Sequence, residues 1–271
     1  MTKRFQRIAD SLINLGHYLS LDGTENEISE PKTVSHSKWL GYLTHEFNRE
    51  GMRILDVGGR GATSAGFRYH FGTAKYVAFD IHKGANVDIV GDAHRLSSYF
   101  KEEQKFDLIF STAVFEHLQM PWVVAQEIQK LLKVGGHVFV ETHFSFSSHE
   151  RPCHFFQFSD LGLRVLFSAA LGFELIDSGM SNPIRGYFSG QADKYLRYRP
   201  VNELYCHSEI LCRKIRDVVE FDWRKSCFAV VAGMGSCSAP QYCLQRSPEL
   251  AKAEGISTRN QLARFHSLAS E

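Results

Sequence analysis

No stretch of the chain approaches the ~18–20 consecutive apolar residues that a membrane-spanning helix requires. The first ten residues, Met1 to Asp10, are charged and lack the unbroken apolar core of a signal peptide. Excess charge of either sign is missing too. Lys and Arg number 31 against 30 Asp and Glu, a formal net charge of +1, so no global field steers a nucleic acid and no nucleic-acid partner is expected. The six cysteines (Cys153, Cys206, Cys212, Cys227, Cys237 and Cys243) form no C-x-x-C pair, which disfavours a disulfide framework and reads as reduced thiols. Internal repeats and long low-complexity tracts are also lacking. The expectation is a cytoplasmic protein without a membrane span. A chain of 271 residues with 44% hydrophobic and 23% charged side chains can bury an ordinary globular core.

Three regions follow. Residues 1–50 read as an N-terminal helical segment with a polar break from Asp22 to Lys32. Its second helix has Ser35 as a candidate cap, Trp39, Leu40, Leu43 and Phe47 on one face, and Gly51 as its stop. From Met52, short apolar runs alternate with amphipathic stretches, the pattern of β-α-β units. Strands are expected at Arg53–Val57, Tyr76–Asp80, Val87–Val90, Phe106–Phe110, His137–Thr142 and Phe173–Asp177. One helix starts at Pro121, carries Val124, Ile128, Leu131 and Leu132 inward, and ends at Gly135-Gly136. Another runs from Ser159-Asp160 to Gly172, with Leu161, Val165, Leu166 and Ala169 inward. An amphipathic helix around Glu203–Val219 and a strand at Cys227–Gly233 come next. The tail, 234–271, is expected to be partly helical or partly disordered.

The strongest local signal is Ile54-Leu55-Asp56-Val57-Gly58-Gly59-Arg60-Gly61. A buried strand ends in an acid and runs into glycines, where the backbone must turn sharply and approach a ligand without a Cβ in the way. A helix from about Thr63 would point its positive end at the same crevice. The dinucleotide fingerprint G-x-G-x-x-G fails here: started at Gly58 it meets Arg60 and Thr63, and started at Gly59 it meets Gly61 and then Ser64. No Gly-Lys-Ser/Thr follows, so the P-loop fails as well. Asp80 closes the next strand, 24 residues beyond Asp56, where an acid can accept both ribose hydroxyls of an adenosine. Asp92, in Gly91-Asp92-Ala93-His94, closes a third.

The order ILDVGGRG, YVAFDIHKGANVDIVGDAHRL and FDLIFSTAVFEHLQMPWVVAQEIQKLLKVGGHVFVET, within Met52 to Phe173, resembles the class I S-adenosylmethionine-dependent methyltransferases, in particular the type 11-like branch. The resemblance implies an α/β fold: a Rossmann-like, doubly wound, seven-stranded, mostly parallel sheet with an antiparallel last strand. That strand would be Cys227–Gly233, the methyltransferase domain 51–233, and residues 181–225 an insertion between the last two strands. The family's third and second loop glycines are replaced by Ala62 and Arg60.

Carried over by motif, the cofactor is S-adenosylmethionine. Asp56, Gly58, Gly59 and Gly61 would lie near its methionine portion, Asp80 at the ribose and Ile81 on the adenine. Asp92 and Ala93 would lie at the adenine edge, and Ser111 and Thr112 at the carboxypropyl group or the substrate.

For the chemistry, histidines at strand ends are the candidates, because an acceptor hydroxyl benefits from a general base. His149, in the loop Ser145–Phe156, is the first choice, with His117 of the Glu116-His117 pair and His143 after the fifth strand beside it. Metal binding by His143, His149, Glu150 and His154 fits no standard zinc spacing, and no metal is expected. Tyr195-Leu196-Arg197-Tyr198-Arg199, with Arg185 and Tyr187, reads as a cationic and aromatic wall for a sugar or anion, or as an exposed connector. The function expected is methyl transfer to a small-molecule or saccharide-like acceptor, at oxygen. Its rivals are a catalytically degenerate binding module of the same fold and a nicotinamide-dependent oxidoreductase.

Overall fold

Apolar runs without alternation become strands covered on both faces. In β1 (Arg53–Val57) every residue after Arg53 is buried. The computed structural model describes residues 28–61 and 66–224, together with Ile8, Ser11, Leu12 and Ser226. Helix α1 (Trp39–Phe47) precedes β1, and β2 (Lys75–Asp80), β3 (Ile89–Val90) and β4 (Phe106–Thr112) follow. Then come α2 (Pro121–Leu131), β5 (Leu132–His143), α3 (Asp160–Leu166), β6 (Phe173–Tyr187) and β7 (Pro200–Lys214). They form one seven-stranded sheet in the order β3-β2-β1-β4-β5-β7-β6. The strands run parallel except β7, which is antiparallel to both β5 and β6. Strand β1 pairs with β2 on one side and β4 on the other, so the winding reverses beside it and a crevice opens past its carboxyl end.

Each face of the sheet has its own apolar layer. Helices α2 and α3 cover one, bringing Val124, Ile128, Leu163 and Leu166 against Leu55, Ile109 and Val140. Helix α1 covers the other with Trp39, Leu43 and Phe47, and the Trp39 ring stacks on Phe139 with centroids 5.2 Å apart. Each such side chain removed from water contributes roughly 1.5–3 kcal/mol. Among the described residues, no helix is long and apolar enough to cross a membrane.

Several local expectations shift by a turn. Ser35 receives the N–H groups of Lys38 and Trp39 on its carbonyl, at 2.8 and 3.0 Å, while its hydroxyl has no partner. A backbone turn thus replaces the side-chain cap. Helix α2 stops at Leu131, because Leu132 already has extended backbone as the first residue of β5. Gly135 and Gly136 therefore lie in the strand. Ser159 caps α3 by accepting from Gly162 N at 3.1 Å, and Leu163 and Leu166 point inward. Leu161 is 51% exposed, against expectation, because the face that α3 turns to the sheet carries Leu163 and Leu166 instead. Ala62 to Ala65, where a helix was expected to start, lie outside the described residues. The next described element is a single 3-10 turn, Arg68–Phe71.

The largest correction concerns residues 181–225. Among the described residues there, β6 continues to Tyr187, a connection of residues 188–199 turns the chain, and β7 returns as the antiparallel strand. The helix expected around Glu203–Val219 is strand as far as Lys214. Cys227–Gly233, expected to supply the antiparallel strand, lies outside the described residues. The misreading has a physical cause. Strand β7 is wedged between β5 and β6 and buries polar residues that mimic the polar face of a helix. Lys214 is fully buried, and its Nζ donates to the carbonyls of Gln129 (2.6 Å) and Leu132 (2.8 Å) and pairs with Asp217. A cation there meets carbonyls that α2 leaves unsatisfied at its end.

Candidate active site

The glycine turn after β1 folds back over β2: the N–H groups of Gly58 and Gly59 donate to the Phe79 carbonyl at 2.8 and 3.1 Å. Gly58 has φ +99°, and a Cβ on it would fall 2.2 Å from Cγ2 of Val114. A Cβ on Gly59 would fall 2.7 Å from that of Ala78. Gly61 also has positive φ, +66°. Beneath the turn, Asp56 is 2% exposed and accepts the hydroxyl of Tyr76. Burial pushes its carboxyl up to about 7, although the Tyr76 bond opposes this, and burial beside Asp56 raises the Tyr76 phenol.

At the end of β2, the Asp80 carboxylate is 9% exposed and accepts the backbone N–H of Arg60 (3.3 Å) and of His82 (2.7 Å). Ile81 beside it is 65% exposed. Asp92 caps the 3-10 turn Ala93–Tyr99 and accepts from His94 N and from His94 Nδ1. Burial would raise its carboxyl, but these bonds hold it below the ordinary value. Ala93 is buried at the same end. The Arg60 stem packs where a Cβ on Gly84 would stand, and its buried Nε has no hydrogen-bond partner. Glycines that tolerate no Cβ, a carboxylate at the β2 end, an exposed apolar side chain and an orphaned guanidinium nitrogen together fit an adenosine bearing a charged amino-acid tail. Ser111 is placed differently: it is buried, and its hydroxyl donates to the Val57 carbonyl at 2.8 Å, tying β4 to β1. Thr112 is half-buried at the end of β4.

Beyond β4 and β5, four histidines gather around one carboxylate. Glu116 is fully buried; its Oε2 accepts the Thr142 hydroxyl at 2.6 Å, and His143 Nδ1 stands 2.7 Å from its Oε1. That second contact lies off the axis of a normal N–H···O bond, so neither atom is fully satisfied. Burial would raise the Glu116 carboxyl, but His143 and Thr142 hold it below the ordinary value. The His149 ring lies 5.4 Å from His143, 4.9 Å from His117 and 4.5 Å from His154. Nδ1 of His149 lies 2.9 Å from the Ser147 carbonyl, and Nδ1 of His117 lies 2.7 Å from that of Cys153. Both bonds require the proton on Nδ1, leaving each Nε2 as an acceptor. The three histidines singled out from the sequence are thus neighbours.

A second group was not read from the sequence. His36, before α1, lies 2.9 Å through Nδ1 from Glu141 Oε2, and its ring stacks on His207 at 4.2 Å. Burial, then the neighbouring His36 and His143, push His207 down to about 4, and burial pushes Glu209 up to about 8. The available signal was the spacing of Glu141-x-His143 and His207-x-Glu209. Residues two apart share a face on a strand, but His207 and Glu209 lay in a segment read as helix. Tyr195 and Tyr198, of the expected aromatic wall, stand 66% and 74% exposed in the connection 188–199. A recess lined by Tyr42, Glu46, Lys133 and His137 opens at the amino-terminal ends of the strands, away from all these groups.

A sequence model of the methyltransferase domain family matches residues 36–176, more than half of the chain. No curated protein sequence matches it. Solved structures with a similar fold include a SAM-dependent methyltransferase from Archaeoglobus fulgidus, at 14% identity and a TM-score of 0.47, covering 65% of this chain and 92% of that one. The 1,6-didemethyltoxoflavin-N1-methyltransferase of Burkholderia thailandensis, solved with 1,6-didemethyltoxoflavin and S-adenosylhomocysteine, is 15% identical with a TM-score of 0.46, covering 65% and 76%. The YcgJ protein of Bacillus subtilis is 17% identical with a TM-score of 0.45, covering 66% and 98%.

Proposed function

We propose, for a chain that belongs to the methyltransferase domain family, that it transfers the methyl group of S-adenosylmethionine to an oxygen of a small-molecule or saccharide-like acceptor. The observation that carries the oxygen assignment is the gathering of His117, His143 and His149 around buried Glu116. An amine would need only its neutral form, whereas a hydroxyl gains from a base held beside it.

The bound sulfonium supplies the reactive methyl group. What the chain adds is alignment and the exclusion of water, which can remove several kcal/mol of the barrier. Gly58, Gly59 and Gly61 let the backbone approach the methionine portion, and Asp56 underlies that turn. Asp80 takes the ribose hydroxyls, Ile81 covers the adenine, and Asp92 and Ala93 border it. Thr112 lies between donor and acceptor, while Ser111 holds β4 in place. His149 receives the acceptor proton at Nε2, since its Nδ1 is engaged by the Ser147 carbonyl. His143, backed by Glu116, and His117 complete the polar wall.

The test is calorimetric titration with S-adenosylhomocysteine, then turnover on a panel of hydroxylated compounds with amines as controls. Micromolar binding and turnover on hydroxyls support the proposal. His149→Ala is expected to lower turnover by about 10²–10⁴-fold with cofactor affinity kept; equal loss of both would make the loop structural. Binding without turnover leaves the catalytically degenerate module, and binding of NAD instead would restore the oxidoreductase.

A further inference from the structure

The His36, Glu141, His207 and Glu209 group lies outside that reaction, and it sets two buried carboxyl groups beside two imidazoles. Glu141 and Glu209 are cross-strand partners in the β5–β7 pair, as are His143 and His207. All four therefore share one face of the sheet. Glu141 is 6% exposed and Glu209 is fully buried. Two buried carboxyl groups side by side are costly unless one keeps its proton or a cation or several donors meet them. Ser181 donates to Oε1 of Glu209, and Oε2 is left with no partner. Among the described residues, the charges that act on His36, His207 and Glu209 are other histidines and glutamates, with no lysine or arginine.

We propose that His36, Glu141 and His207 form a binding site for a divalent transition-metal ion of the zinc type, with Glu209 beside it. One donor atom from each of the three lies within 4.8 Å of the others, and His36 Nδ1 and Glu141 Oε2 are already 2.9 Å apart. Tetrahedral zinc with bonds of about 2.0–2.1 Å needs donor atoms roughly 3.3 Å apart, a contraction that modest side-chain rotation supplies. His36, with a side chain 46% exposed, is free to make it. Two imidazoles and a carboxylate select a borderline divalent ion over magnesium or calcium, which prefer oxygen throughout. The Asn182 side-chain amide lies 2.9 Å from His207 Nδ1; turned so that its oxygen accepts the Nδ1 proton, it leaves Nε2 free to ligate. The bound ion offsets the carboxylate charge and pins the segment before α1 to the carboxyl end of β5. It stands next to His143, whose ring is 5.5 Å from His207, so it borders the proposed acceptor site without forming part of it.

The experiment uses the full-length chain without an affinity tag, stripped with a chelator and titrated with Zn²⁺ by calorimetry and with Co²⁺ by visible absorption. One ion per chain, a Co²⁺ spectrum of nitrogen–oxygen coordination, and an at least tenfold higher Kd for both His36→Ala and His207→Ala support the site. His36 is partly exposed, so its variant tests the site with the fold intact, as thermal melting would verify. His149→Ala should leave ion affinity unchanged. No binding, binding that survives both His36→Ala and His207→Ala, or loss on His149→Ala with retention in His36→Ala would each overturn the proposal. None of these readouts depends on methyl transfer.

Discussion

The hydroxyl of Thr142 donates to Oε2 of Glu116 at 2.6 Å, and both side chains are buried at the end of β5. That bond and the adjacent His143 contact make Glu116 the anchor of the histidine cluster. Glu116→Ala would leave the Thr142 hydroxyl and His143 without a partner, at a cost of about 1–3 kcal/mol. Urea unfolding should detect that loss, with turnover reduced and S-adenosylhomocysteine affinity largely retained. Glu116→Gln keeps an acceptor for Thr142 and should cost less. Equal stability of the wild type and Glu116→Ala would refute the anchoring role.

Asp56 gives a pH dependence whose sign is definite. Its carboxyl is raised from the ordinary 3.8 to about 7, so between those values the folded protein holds a proton that the unfolded chain has released. Stability from this group is full below pH 3.8 and is lost as pH rises towards about 7. The loss totals roughly 4 kcal/mol. Asp56→Asn removes the titration, so its stability should decline less steeply over that window. Parallel slopes for both proteins, in urea unfolding at a series of pH values, would contradict the raised carboxyl.

Gly58 carries two separable constraints. Gly58→Ala meets the Val114 methyl 2.2 Å from its Cβ and must also hold φ near +99°. The overlap should cost about 1–3 kcal/mol, and the backbone a further 1–2 kcal/mol or so. Adding Val114→Ala should recover the first part and leave the second, an interaction that a double-mutant cycle measures directly. Additive effects in the cycle would mean that Val114 moves away without cost.

Asp80 is the assignment on which the donor site rests most heavily. Asp80→Ala should weaken S-adenosylhomocysteine binding at least tenfold, about 1.4 kcal/mol, with little change in the apparent melting temperature without ligand. Undiminished affinity in calorimetry would remove the ribose assignment.

Much of this was legible along the chain because its causes are local. Strand β1 lies at the expected residues, β2 and β4 lie within two positions of theirs, and α2 starts at the expected Pro121. Continuous apolar runs and Pro121 at the first turn act through neighbouring residues. Gly58 and Gly59 signal their turn for the same reason, although what they avoid, Val114 and Ala78, comes from other strands. Ser111 shows the limit of a motif. Its position was readable, but its hydroxyl faces the Val57 carbonyl because β4 lies against β1.

By itself the sequence determined the alternating α/β plan, the glycine turn and the acids at the ends of the first strands. Each depends on periodicity, backbone tolerance or charge within a few residues. Tertiary structure alone decided that Pro200–Lys214 is a strand, because only its place between β5 and β6 gives its polar residues buried partners. Tertiary structure also gathered His36, Glu141, His207 and Glu209, which stand more than a hundred residues apart at their extremes. Their meeting depends on strand register and on the segment before α1 crossing the sheet, and neither is written in any local pattern.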